Sequence, residues 1–160
     1  MSKNEVLNKR LEVLCKCYST GWFDDLFPLL ADNCIMHSHW VMTPNVGKDE
    51  VVKYFTGKGK TLRESGLCPK CHIVKLAGNV NVVESENVHL NGGEPQKMKI
   101  GLWYEDGKFA MLMQQELDGE LIEVLVDVDV DEDGLIAKIS LCEPAMFKYQ
   151  HYRTPYPRHF

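Results

Sequence analysis

The chain has 160 residues, 44% hydrophobic and 26% charged, with a formal net charge of −5. One domain of this size buries about 70% of the surface that its unfolded chain exposes. The acidic balance argues against a nucleic-acid partner, which wants clustered Lys and Arg, and no apolar run approaches the roughly 18 residues of a membrane span.

The start, Met1-Ser-Lys-Asn-Glu5, is too polar for a signal peptide, so a cytoplasmic setting is expected. Ser2-Lys-Asn-Glu5 is also a capping box. Leu7, Leu11, Leu14 and Tyr18 then recur at helical spacing, which predicts an amphipathic helix over 4–19 ending near Gly21. A second helix is expected from Trp22 to Ala31, with Asp24 and Asp25 favoured by the dipole of its first turn. Pro28 cannot donate to the preceding carbonyl and should split that segment into a turn and a stub. Residues 34–42 alternate as a strand and carry His37, His39 and Trp40. Gly47 opens a third helix, with Val51, Val52, Phe55 and Leu62 inward, which runs out among Gly57, Gly59 and Gly66.

Beyond residue 72 the chain reads as strands only, over 72–77, 80–90, 97–105, 108–117, 120–131 and 135–143. Asp106-Gly107, Asp118-Gly119 and Asp133-Gly134 are tight hairpin signals. Helices followed by an antiparallel meander make an α+β domain over 1–143, with helices on one face of a curved sheet. The tail 144–160, rich in Pro, Tyr and His, reads either as a disordered end or as an arm over the pocket or a neighbour.

Cys68-Pro-Lys-Cys71-His72 matches the pattern of covalent haem attachment, and its first half that of a zinc knuckle. Haem would need export and a second axial ligand. Zinc would need two more ligands, and Cys15-Lys-Cys17 has the wrong spacing. The expectation is six reduced thiols, with no metal and no cofactor.

Trp22-Phe-Asp-Asp-Leu-Phe-Pro-Leu-Leu-Ala-Asp-Asn33, Gly47-Lys-Asp-Glu-Val-Val-Lys-Tyr-Phe55 and Asp131-Glu-Asp-Gly-Leu-Ile136, in this order, resemble the nuclear-transport-factor-2-like superfamily, in particular its SnoaL-like branch. The resemblance covers about residues 4–143. It implies a conical barrel in which three N-terminal helices pack on a strongly curved, mostly antiparallel sheet around an apolar pocket. It also implies a homodimer through the sheet face. The family holds cyclases, isomerases, dehydratases and non-catalytic binding domains, so it does not select a reaction. Leu14 and Ser38 stand where the family's steroid isomerase has its tyrosine and its carboxylate. A steroid isomerase is therefore disfavoured.

His37 and His39 share one face of their strand, and Met36, Ser38 and Trp40 share the other. In the family register the second set lines the pocket. Shifted by one, the histidines would face it as a general base, since histidine titrates nearest neutrality. Asp127, alternating with an apolar valine face, is either solvated or the acid that pairs with a histidine. His37, His39 and Asp127 are thus the catalytic candidates, and Ser38, Trp40, Tyr54, Trp103 and His72 the substrate-binding ones. Trp22, Phe55, Met111 and Met113 extend the apolar lining, and Gln114, Gln115 and Glu116 supply polar groups. The expected function is a cofactor-free lyase or isomerase acting on a small hydrophobic, ring-containing molecule. A non-catalytic ligand-binding or assembly module is the alternative.

Overall fold

The computed structural model describes residues 1–38, 43–77, 80–89, 95–103, 108–142 and 151–159, with 76–77, 80–89, 95–103, 142 and 151–159 entering by backbone alone. Helix α1 spans Lys3–Thr20, and the Ser2 hydroxyl accepts the Glu5 N–H at 3.2 Å to cap it. Its buried stripe is the one that the spacing predicts: Leu7, Leu11, Leu14 and Tyr18. Gly21, at φ +79°, ends it by donating to the Cys17 carbonyl at 2.8 Å.

The expected second helix does not form. Pro28 leaves only a turn and one 3-10 turn over Phe27–Leu29, so two α-helices flank the sheet rather than three. The chain is extended again from Leu30, where strand β1 (Leu30–Ser38) begins, four residues before the predicted start. After the two-residue β2 (Asn45–Val46), Gly47 at φ +91° opens helix α2, Lys48–Ser65. The helix runs through Gly57 and Gly59 and closes at Gly66. Gly59 is held by packing. There α2 crosses the end of α1 so closely that a Cβ would fall 2.5 Å from the Gly21 carbonyl oxygen.

The remaining elements are β3 (Lys70–Ala77), β4 (Val80–His89), β5 (Pro95–Trp103), β6 (Phe109–Leu117), β7 (Glu120–Val130), β8 (Ile136–Cys142) and β9 (His151–His159). Seven strands form one mixed sheet in the order β2-β1-β8-β7-β6-β3-β9, with β4 and β5 paired as a separate hairpin. Among the described strands only β1 and β8 pair in parallel. Among the described residues the sheet is open, with β2 and β9 as its edges, and does not close into the expected conical barrel. Tail residues 151–159 lie along β3. Pro155 and Pro157 are tolerated there because an edge strand has one side that need not donate.

Two turns follow directly from sequence. Asp118 and Gly119, both at positive φ, make the two-residue hairpin between β6 and β7. Asp131 accepts the N–H groups of Asp133 and Leu135 at 2.9 and 3.0 Å, which ties the β7–β8 turn.

Alternation sorts the sheet into two faces. Met36, Cys71, Ile73, Met111, Met113, Val126, Val128, Ile136, Ile139 and Leu141 meet the helices in one apolar core, with Tyr18, Phe23 and Phe55 stacked edge-on and face-on within it. The opposite face holds a second buried apolar set, Val74, Ala110, Leu112 and Leu125, outside that core. The aspartates of β7 are on this second face.

Candidate functional site

The helix-side core leaves a pocket of about 100 Å³ where α1 and α2 part over β6 and β7. Its wall includes Tyr18 from α1, Lys58 and Leu62 from α2, and Met113, Gln115 and Val124 from the sheet. The sequence places Tyr18 there because it ends the buried stripe of α1, one turn beyond Leu14. At that position a long amphipathic side chain reaches past the packed layer. Its ring is held edge-on by Phe23 at 5.1 Å and Phe55 at 6.2 Å.

The Tyr18 hydroxyl is buried and has no hydrogen-bond partner among the described residues. Burial, helped by the neighbouring Tyr54, Cys71 and Cys17, holds its pKa well above the ordinary tyrosine value, so it remains an O–H donor. The other polar groups of the wall are partly engaged. Gln115 donates to the Leu67 carbonyl at 2.8 Å, and Gln114 to Glu123 at 3.0 Å.

The residues singled out from sequence fall on different sides of the sheet. Met36 is buried on the helix side and the half-buried Ser38 shares its face, while His37 points to the other. Across the adjacent strands β1, β8 and β7, His37 pairs in register with Ser140, and Ser140 with Asp127. The three therefore form one lateral row, with His37 and Asp127 two strand spacings apart, roughly 10 Å. Asp127 is neither freely solvated nor in the pocket: its Oδ1 sits 2.8 Å from Lys108 Nζ, which also donates to Asp129 at 2.6 Å. Burial works against the charge of Lys108, but the two carboxylates outweigh it and hold its ammonium above the ordinary lysine value.

His72 is half-buried on this same face, opposite Leu112 of β6. Tyr54 stands beside the core, its ring 5.2 Å from that of Phe55, and burial raises its pKa. His39 and Trp40 lie outside the described residues, as does the side chain of Trp103. Three lining expectations are corrected. Trp22 is 59% exposed, placed just past the Gly21 cap with the Arg63 guanidinium 3.8 Å over its ring. Phe55 and Met111 are fully buried in the core and do not line the pocket.

Cys71 and His72 are successive strand residues, so they point to opposite faces, and Cys71 is turned into the core against Cys15. Among the described residues no three Cys, His, Asp or Glu side chains converge on a metal-sized point.

Sequence reading missed two polar residues of the site, Lys58 and, above all, Tyr18. Its signal was there in part, as the polar-tipped member of an otherwise aliphatic stripe. Only the packing shows that its hydroxyl meets no partner among the described residues.

No protein-family model matches the chain, and no curated protein matches its sequence. Solved structures do resemble it. A de novo designed protein with a curved β-sheet is 18% identical over 92% of each chain, at a TM-score of 0.50. A bacterial protein with a cystatin-like fold from Silicibacter pomeroyi is 12% identical over 82% of this chain and 71% of its own, at a TM-score of 0.47. A steroid delta-isomerase from Pseudomonas aeruginosa is 11% identical over 85% of this chain and 77% of its own, at a TM-score of 0.49. The likeness to the designed protein, at 18% identity, is a likeness of fold alone: α+β, with helices on a mixed sheet. No helix among the described residues is long and apolar enough to cross a membrane.

Proposed function

We propose that this chain is a small-molecule pocket protein of nuclear-transport-factor-2-like architecture. Its ligand is a compact, mostly apolar molecule carrying one hydrogen-bond acceptor. The observation that carries this reading is the Tyr18 hydroxyl, a buried donor with no described partner on the wall of an apolar pocket. Leaving such a group unpaired costs about 1–3 kcal/mol, a cost that a bound carbonyl oxygen would remove. The volume, about 100 Å³, is below the 300–1,000 Å³ typical of sites for drug-sized ligands. One small ring fits it and a fused polycycle does not. Among the described residues its wall has no carboxylate or imidazole to move a proton, so the geometry supports binding further than turnover.

Cyclohexanone is a direct probe. Titrated into methyl-labelled protein, it is expected to shift the signals of Leu62, Met113 and Val124. Tyr18→Phe should weaken that binding roughly five- to tenfold, the worth of one hydrogen bond. The same substitution should leave the free protein equally stable or raise its stability by about 1 kcal/mol in urea unfolding, because it deletes an unpaired polar atom. A large destabilisation would mean that the hydroxyl is already satisfied.

A second reading keeps the enzyme and places it on the other face. There His37, Ser140 and Asp127 lie in one register row, which sets an imidazole, a hydroxyl and a carboxylate on one surface, residue types that a lyase or isomerase uses for proton transfer. Pairing of two copies across that sheet face belongs to the same reading. Unchanged turnover of an identified substrate by His37→Asn and Asp127→Asn would remove both residues from the chemistry. A monomer in sedimentation at micromolar concentration would remove the dimer.

A further inference from the structure

We infer that the ligand of the Tyr18 pocket is a small carboxylic acid, its apolar body inside and its carboxylate at Lys58. This rests on the reading of the pocket as a binding site and adds the charge of what binds there.

Charge is the first argument. The protein carries a net −5, yet among the described residues of the pocket wall Lys58 is the one ionisable side chain that is charged near neutral pH. No described carboxylate shares the wall. An anion is therefore attracted there and a cation repelled, against the trend of the molecule as a whole.

Lys58 also makes no ion pair with any described residue. Its neighbour two positions on, Lys60, is turned to Glu64 at 3.9 Å along the exposed side of α2. Lys58 instead follows Phe55 by three residues and precedes Leu62 by four, which puts it on the flank of the buried stripe and half-buried. A partly desolvated ammonium attracts an anion more strongly than a fully solvated one.

Hydrogen-bond polarity points the same way. The amides of Gln114 and Gln115 each already spend one N–H within the protein, which leaves the Tyr18 hydroxyl and the Lys58 ammonium as the leading donors of the wall. The ammonium can only donate, and the hydroxyl, its proton held firmly by burial, has no described acceptor. A ligand that engages either must present an acceptor. Leu62, Met113 and Val124 line the same pocket, with the exposed Ile122 also on its wall, which favours hydrocarbon. An apolar body bearing a carboxylate at Lys58 matches both the charge and the apolar lining.

Three probes of nearly equal shape test the assignment by methyl NMR titration: cyclohexanecarboxylate, cyclohexanecarboxamide and cyclohexylammonium. The carboxylate is expected to bind at least tenfold tighter than the amide, with an affinity that falls as salt rises, and the ammonium not to bind. Lys58→Met should abolish the preference for carboxylate over amide. Equal affinity for acid and amide, a preference that survives Lys58→Met, or tight binding of the ammonium would each overturn the inference. In all three cases cyclohexanone still reports a working pocket. If cyclohexanone and all three probes leave Leu62 and Met113 unmoved, the pocket reading itself is overturned and this inference with it.

Discussion

Gly59→Ala is expected to lower the stability of the fold by about 2 kcal/mol, within the usual range for forcing an extra methyl into a packed site. The direction runs against helix propensity, which favours Ala over Gly by about 1 kcal/mol in a helix interior. At Gly59 the added Cβ would lie 2.5 Å from the Gly21 carbonyl oxygen, 3.0 Å from Arg63 Nη1 and 3.1 Å from the Phe23 ring. The first of these is backbone and cannot rotate away. It belongs to the residue that ends α1 at φ +79°, and it accepts a hydrogen bond from Arg63, which in turn covers Trp22. Relief would therefore have to separate the two helices, disturbing the Phe23–Phe55 stack at 4.9 Å and with it the ring contacts that hold Tyr18. Gly57→Ala is the control, since nothing lies within 4 Å of its would-be Cβ. There the helix propensity should act alone and raise stability by up to about 1 kcal/mol. Urea midpoints for the two variants should move in opposite directions, and a common direction would mean that the helices do not cross as described.

Raising the pH from 9 to 10 should cost the protein up to about 1.4 kcal/mol for each of two buried thiols, after a flat response between pH 7 and 8. Cys15 is held above the ordinary thiol value first by its hydrogen bond with Cys71 and then by burial. Cys17 is pushed from 9.0 up to about 12 by burial, with Asp25 and Asp24 adding to the effect. Both folded values are raised, so the sign follows. Below the unfolded thiol value both states keep the proton and the full stabilisation is present. Above it the unfolded chain releases protons that the folded chain retains, and stability falls until the folded value is passed. Tyr18 and Lys108 also titrate higher in the folded state, but from ordinary values of 10.0 and 10.5, so they add mainly above this window. Urea unfolding at half-unit steps reads the slope, and Cys17→Ala should reduce it by one proton's worth. An unchanged midpoint from pH 8 to 10 would show that the thiols are open to solvent.

These two effects depend on features of different legibility. The α1 stripe, the Ser2 and Gly21 caps, the Pro28 break and the Asp118-Gly119 hairpin were all readable from the chain, because each depends on residues within a turn or two of one another. The valine face of β7 was readable for the same reason, through strict alternation. The close approach of Gly59 to Gly21 was not. In sequence Gly59 looks like a helix breaker, and only a partner 38 positions away turns it into a contact.

The site divides along the same line. Composition and pattern determined by themselves that this is an acidic α+β domain with apolar stripes on two helices and a sheet, and that His37 and Ser38 must face opposite ways. They left open which of the two faces inward, because strand alternation is symmetric until something is packed against it. Tertiary structure decided that the helices take the side of Met36 and Ser38, that His37 and Asp127 share the other face, and that Asp127 answers to Lys108. It also decided that the end of α1 leaves Tyr18 with a buried hydroxyl and no described partner. Whether a buried donor finds an acceptor depends on every element around it, and no local stretch of sequence contains that information.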